Sequence, residues 1–289
     1  MLFLRALIRF LFAPFRLLWR LLTLPWHIIQ KTRDFLDREP EERPLGEIFG
    51  NLAEETARQE LLQHLEAFRS HLLRAVIAIG IGIALSFLFT QRLIEFLARP
   101  VGGLSALKAI EVTESIGVFM RVALIAGFAL ALPYVSFEFW LFAAPGLKPS
   151  TRKFSLLAIP LVFLFFLGGM AFAYYLMLPA ALPILLNFMG IQAELRPNSY
   201  FTFVTGLMFW IGVSFEFPFV IYILSAIGWV KPQPLIQGWR VAILIIAILA
   251  AAVTPTVDPV NMFLVMLPMS VLYLISIGLS FIARRGRTD

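Results

Sequence analysis

The chain has 289 residues, 60% of them hydrophobic and 15% charged, with a formal net charge of +6, and its mean hydropathy is +0.86. A composition this apolar describes a protein built for lipid and excludes an ordinary soluble domain; the cations flank apolar stretches instead of gathering into a nucleic-acid-binding patch. The absence of cysteine excludes disulfides, thiolate nucleophiles and cysteine metal sites, and the three histidines, His27, His64 and His71, all fall before the first expected span, leaving none for an intramembrane catalytic or metal centre.

In residues 1–33, Arg5, Arg9, Arg16, Arg20 and His27 share an arc of about 60° on a helix, while Leu, Phe and Trp fill the rest. This pattern predicts an amphipathic segment lying in the lipid interface, divided by Pro14 and Pro25. Arginines spread along its whole length argue against a cleaved signal peptide. Membrane adhesion and partner docking both stay open for this segment. Residues 34–60 turn acidic around Pro40 and Pro44 and read as a solvated cytoplasmic linker.

Six apolar stretches follow, near 72–89, 116–142, 154–178, 201–227, 241–253 and 260–283. The fifth reaches only about 20 Å as a helix, against a hydrocarbon core of about 30 Å, and calls for bilayer thinning, shelter behind longer helices or snorkelling. Lys148, Arg152, Lys153, Lys231, Arg240 and the arginines of the tail 284–289 fall on the side of the amino-terminal arm, which predicts cytoplasmic termini.

Few polar residues interrupt the spans: Arg121, Glu138, Ser214, Glu216 and Asn261, with Asp258 in the turn before the last one. Glu216 sits near the middle of the fourth span, where a carboxylate costs about 2.5–3.5 kcal/mol on insertion scales. Pro218 removes the helical partner of the Ser214 carbonyl, so a bend, a free carbonyl and a carboxylate converge on one place, which predicts a hydrated or protein-lined pocket. A protonated acid that only locks two helices together is the structural alternative. Pro133 frees the carbonyl of Ala129, and Pro160 that of Leu156, in the same way. Gly168 and Gly169 permit close helix approach.

The stretches LLQHLEAFRSHLL at 61–73, ARP at 98–100, PYVSFEFWLFAAPGLKP at 133–149, GGMAFAYYLMLPAAL at 168–182, SYFTFVTGLMFWIGVSFEFPFV at 199–220 and VTPTVDPVNMFLVMLPMSVLY at 253–273 occur in the order and spacing of one family. Over about 61–283 the chain resembles TatC, the polytopic core of the twin-arginine protein translocase. The resemblance implies an all-α membrane protein: six transmembrane helices in a concave bundle with both termini cytoplasmic, here preceded by the amphipathic interfacial segment. It implies a non-enzymatic receptor for signal peptides of folded cargo, without cofactor or metal. Single-span subunits of the TatA and TatB kind would dock against it, with the proton motive force driving transport; whether the chain pairs with further copies of itself stays open. Glu66, Arg69 and Phe142 match positions of signal-peptide recognition, and Glu216, with Ser214 beside it, matches the embedded polar site for a docking helix or signal peptide. Pro100, Pro133, Pro145, Pro218 and Asp258 match structural positions.

Three departures from the family pattern bear on function. Ala67 stands at the second glutamate of the lead-in, Thr151 at the glutamate after APGL, and Leu274 at a glutamate of the last helix. The first two remove carboxylates that would pair with two guanidiniums. Glu66 taking over the role, carboxylates supplied by the linker 34–60, and a divergent paralogue that keeps the scaffold but not arginine recognition all stay open. A small-solute transporter would show facing charges or an inverted repeat. A hydrolase would need a base sharing a helical face with Ser214, and Glu216, two residues away, does not.

Overall fold

The computed structural model describes residues 55–146, 152, 155–186, 194–226, 228–253 and 259–285. The expected interfacial segment 1–33, nearly all of the linker, Thr151, Asp258 and the chain after Arg285 lie outside the described residues, which are helical with connecting turns and contain no strand. Among the described residues nine α-helices follow one another: α1 Glu55–Ser86, α2 Thr90–Ala98, α3 Glu114–Ala143, α4 Ala158–Phe172, α5 Leu178–Leu186, α6 Pro197–Ala226, α7 Pro232–Gln237, α8 Trp239–Val253 and α9 Pro259–Arg285. A five-residue π turn, Ala173–Met177, joins α4 to α5 without a break.

Five of the described stretches are long and apolar enough to cross a membrane: Leu62–Ser86, Glu114–Ala143, Ala158–Pro183, Pro197–Ala226 and Met262–Arg284. The sixth transmembrane element is α8, whose 15 residues rise only about 22 Å. The first span begins ten residues earlier than its hydropathy predicts, because Glu66, Arg69 and His71 interrupt the apolar run without interrupting the helix. His64 and His71 therefore lie within that span and not ahead of it. Pro133 and Pro218 sit inside helices that continue through them. Pro160, by contrast, falls in the first turn of α4, where backbone N–H groups lack helical acceptors anyway, so the expected loss at Leu156 does not arise.

The chain divides into two units. One contains the described residues up to Arg69 together with Trp140–Leu157; the other contains Ser70–Phe139 and Ala158 onward. Within the second, α6 is the central helix, packed on α4 and α9. Tyr200, Phe201, Val204, Leu207 and Ile211 of α6 join Met177, Leu178 and Val265 in its main apolar core. The hydroxyls of Ser225 and Ser280 meet at 2.7 Å and tie α6 to α9 in a buried place. Gly82 and Gly127 do the equivalent for α1 and α3: a methyl added at Gly127 would stand 2.4 Å from the Ile83 Cα.

The short helix α2 is held against this unit by two phenols. Tyr174 donates to the Phe96 carbonyl at 2.8 Å, and Tyr200 donates to the Leu97 carbonyl at 2.6 Å. Gly102 and Gly103, both at positive φ, then turn the chain away. Beyond them Arg196 bonds Glu114 at 2.5 Å and Glu111 at 2.9 Å, and Lys108 meets Glu194 at 2.6 Å. These pairs lace the segment before α3 to the one before α6. Hydrogen bonds donated to Glu114, then to Glu111, push the Arg196 guanidinium above its ordinary pKa, so it stays charged at every physiological pH.

Candidate functional site

Glu216 lies on α6 one turn beyond the place where α6 crosses α4 backbone to backbone. At that crossing a methyl on Gly169 of α4 would stand 2.8 Å from both the Gly212 Cα and the Ile211 carbonyl oxygen, and one on Gly212 would stand 2.9 Å from the Phe166 ring. Only Gly169 of the glycine pair packs in this way; Gly168 faces open space. Phe166, 1% exposed, fills the seam, and Phe172 lies 5.5 Å from Phe215, on the turn before Glu216.

In this apolar setting both Glu216 carboxyl oxygens are buried, and neither has a hydrogen-bond partner of normal geometry among the described residues, the Phe166 backbone supplying only a weak polar contact. The side chain does not point outward to acyl chains. Two buried acceptor positions without a donor cost several kcal/mol in a medium that offers no water. A polar group of suitable reach brought by another helix would recover part of that. Ser214 plays no part in the carboxyl's environment through hydrogen bonding: its hydroxyl donates back to the Trp210 carbonyl at 2.7 Å.

The other embedded glutamate is satisfied. Glu138 of α3, 2% exposed, has an oxygen 2.6 Å from His71 Nδ1 and 3.4 Å from an Arg74 guanidinium nitrogen. His71 and Arg74 are three residues apart on α1 and share a face. Sequence reasoning noted Glu138 without a partner, because it placed His71 ahead of the first span. Matching polar positions three apart on α1 with the embedded acid of α3 was the signal available.

In the first unit, Phe142 packs on His64 at 4.6 Å and edge-on to Phe68 at 5.4 Å. These two residues, four apart, form one face of α1. Glu66 is two positions from each and falls on the other side of the helix, so the structure does not bring Glu66 to Phe142. Glu66 and Arg69 are both exposed. Ala67 is the position flanking the aromatic face, about 60° from His64. In the last turn of α3, Trp140 donates to the Ser155 hydroxyl at 2.8 Å. Arg152, one of the cations that set the expected orientation, is 2% exposed and donates to the carbonyls of Ala144 at 2.7 Å and Pro145 at 3.2 Å. It caps the end of α3 through the turn that Pro145 occupies. Pro100 lies exposed in the turn after α2.

Residues 63–268 match the family model of the Sec-independent protein translocase protein TatC. The chain belongs to the TatC family. A TatC of Carboxydothermus hydrogenoformans is 35% identical over 227 residues, spanning 78% of this chain and 92% of that protein. One of Deinococcus radiodurans is 34% identical over 239 residues, spanning 80% and 88%. The crystal structure of the twin-arginine translocase receptor TatC superposes with a TM-score of 0.69 at 30% identity, covering 77% of this chain and all of that one. The TatC match encloses Glu66, Arg69, Phe142, Ser214, Glu216 and Asp258, and leaves the first 62 residues outside. Leu274, where the family pattern has a glutamate, is a largely exposed leucine on α9.

Proposed function

We propose that this TatC works at two places: it receives signal peptides on the unit built from the start of α1 and the segment after α3, and it docks a single-span partner helix of the TatA or TatB kind at Glu216. The unit 55–69 with 140–157 then faces the cytoplasm, as do both termini, and the membrane is the inner one. Glu216 carries the reading. A carboxyl group with both oxygens buried and unpartnered is a site waiting for a donor, and the small residues Gly169 and Gly212 make the seam beside it tight and rigid. Asp258, Pro100 and Pro145 serve the framework.

A second reading is favoured by the geometry of α1. The helix face that meets Phe142 offers Ala67 where the family pattern has a carboxylate, and Glu66 lies across the helix. On that reading the chain is a divergent member that keeps the scaffold and the partner site but no longer distinguishes a pair of arginines. Site-specific crosslinking from positions 64–70 to signal peptides carrying RR or KK separates the two: receptor function requires preferential capture of RR, and equal capture identifies the divergent member. Under the second reading Ala67→Glu creates a preference for RR. Glu216→Leu, which removes the acceptor, abolishes crosslinking to the partner helix while insertion of the chain continues; full partner crosslinking by Glu216→Leu refutes the docking role.

A further inference from the structure

A cavity of about 430 Å³ opens where α2 meets the π turn and α5, far along the chain from Glu216 and Phe142. One wall carries Arg99, the other Tyr174, Tyr175, Pro179, Leu182 and Pro183. Three observations define what it fits. First, its cation is uncommitted to any acid: the Arg99 guanidinium lies over the Phe96 ring at 5.4 Å, is exposed, and forms no ion pair among the described residues. Second, the cavity lies toward the polar end of the span: Arg99 ends the amphipathic α2, and α5 runs out at Leu186, eight positions before Glu194 in the sequence. Third, it opens sideways. Tyr175, Pro179 and Pro183, four residues apart, are exposed on a stripe of a membrane-spanning segment, with Tyr175 64% exposed.

We propose that this cavity binds the headgroup phosphate of an anionic phospholipid. Arg99 supplies the planar donor fork that suits a phosphate. The Tyr174 hydroxyl is already given to the Phe96 carbonyl, so the second donor is the Tyr175 hydroxyl; its ring stands edge-on to Tyr174 at 4.9 Å and marks the interface as tyrosines do. An acyl chain leaving the headgroup runs along the exposed stripe. That lateral opening selects a lipid over a free anion, which needs no apolar path. The π turn carries both tyrosines, Tyr174 buried and Tyr175 at the rim, and π turns of this kind recur at binding places.

The test is native mass spectrometry of the full chain released from nanodiscs of phosphatidylcholine mixed with phosphatidylglycerol. The wild-type chain retains phosphatidylglycerol selectively. Arg99→Gln lowers that retention about fivefold, the factor one interfacial cation contributes, Arg99→Lys keeps most of it, and Tyr175→Phe gives a smaller loss. Arg92→Gln, on the same helix but outside the cavity, leaves retention unchanged. Equal retention of phosphatidylcholine, an equal loss in Arg92→Gln, or displacement of the lipid by added inorganic phosphate would each overturn the proposal, the last by showing that the cavity takes free phosphate.

Discussion

Glu138 and Glu216 are both acids within membrane spans, and their surroundings assign them different work. Glu138 is enclosed by His71 and Arg74 from a neighbouring helix, so it contributes to the join between α1 and α3. His71→Ala leaves a buried acid with the Tyr134 hydroxyl and the half-exposed Arg74 beside it and lowers stability by about 1–3 kcal/mol, seen as a drop in the thermal unfolding midpoint in detergent. Adding Glu138→Gln to that variant restores part of the loss, because a neutral amide is cheaper to bury than an unpaired carboxylate. Glu216 has no such ion pair among the described residues, and under the proposed docking role its substitution is expected to weaken partner crosslinking more than stability. From the sequence, Glu216 was legible because a lone carboxylate beside a proline in a long apolar run has few innocent explanations. The Glu138 pair was not, since its partner lies 67 residues away and depends on how far α1 extends into the membrane.

Helices were the easiest feature to read, and their ends the hardest. A continuous apolar run announces a span, yet helical hydrogen bonds persist where hydropathy fades, which is why α1 starts seventeen residues before the expected span. Local geometry also decides what a proline or glycine means: Pro160 is harmless in a first turn, and of two adjacent glycines only Gly169 touches another helix. Gly212→Ala therefore forces its methyl to within 2.9 Å of the Phe166 ring, loosening the α4–α6 seam. The expected result is a lower unfolding midpoint and weaker partner crosslinking at Glu216, whereas Gly168→Ala, facing open space, changes neither.

For the whole molecule, family membership and the helical membrane architecture were both within reach of the sequence, through ordered motifs that span most of the chain. The arrangement of side chains around Phe142 was not, because a one-residue displacement turns a helical side chain by about 100° and only coordinates show which face is occupied. The absence of cysteine makes topology directly measurable, since every introduced thiol is unique. Single cysteines replacing Lys108 and Glu194, both largely exposed, are expected to react with a membrane-impermeant maleimide added outside the cell, while cysteines replacing Lys231 and Arg285 react only after the membrane is opened. The reverse pattern would invert the orientation and relocate the proposed receptor unit.

The two phenols that hold α2 also impose an order on biogenesis. Tyr174 and Tyr200 are synthesised 78 and 103 residues after the carbonyls they grip, so the connection between the first two spans is held by one phenol at first and by both only once α6 has emerged. Chains halted before residue 197 should be nicked by protease within 87–113, and chains that include α6 should resist. A quality-control protease at the membrane would thus find its target in the unfinished protein and lose it on completion.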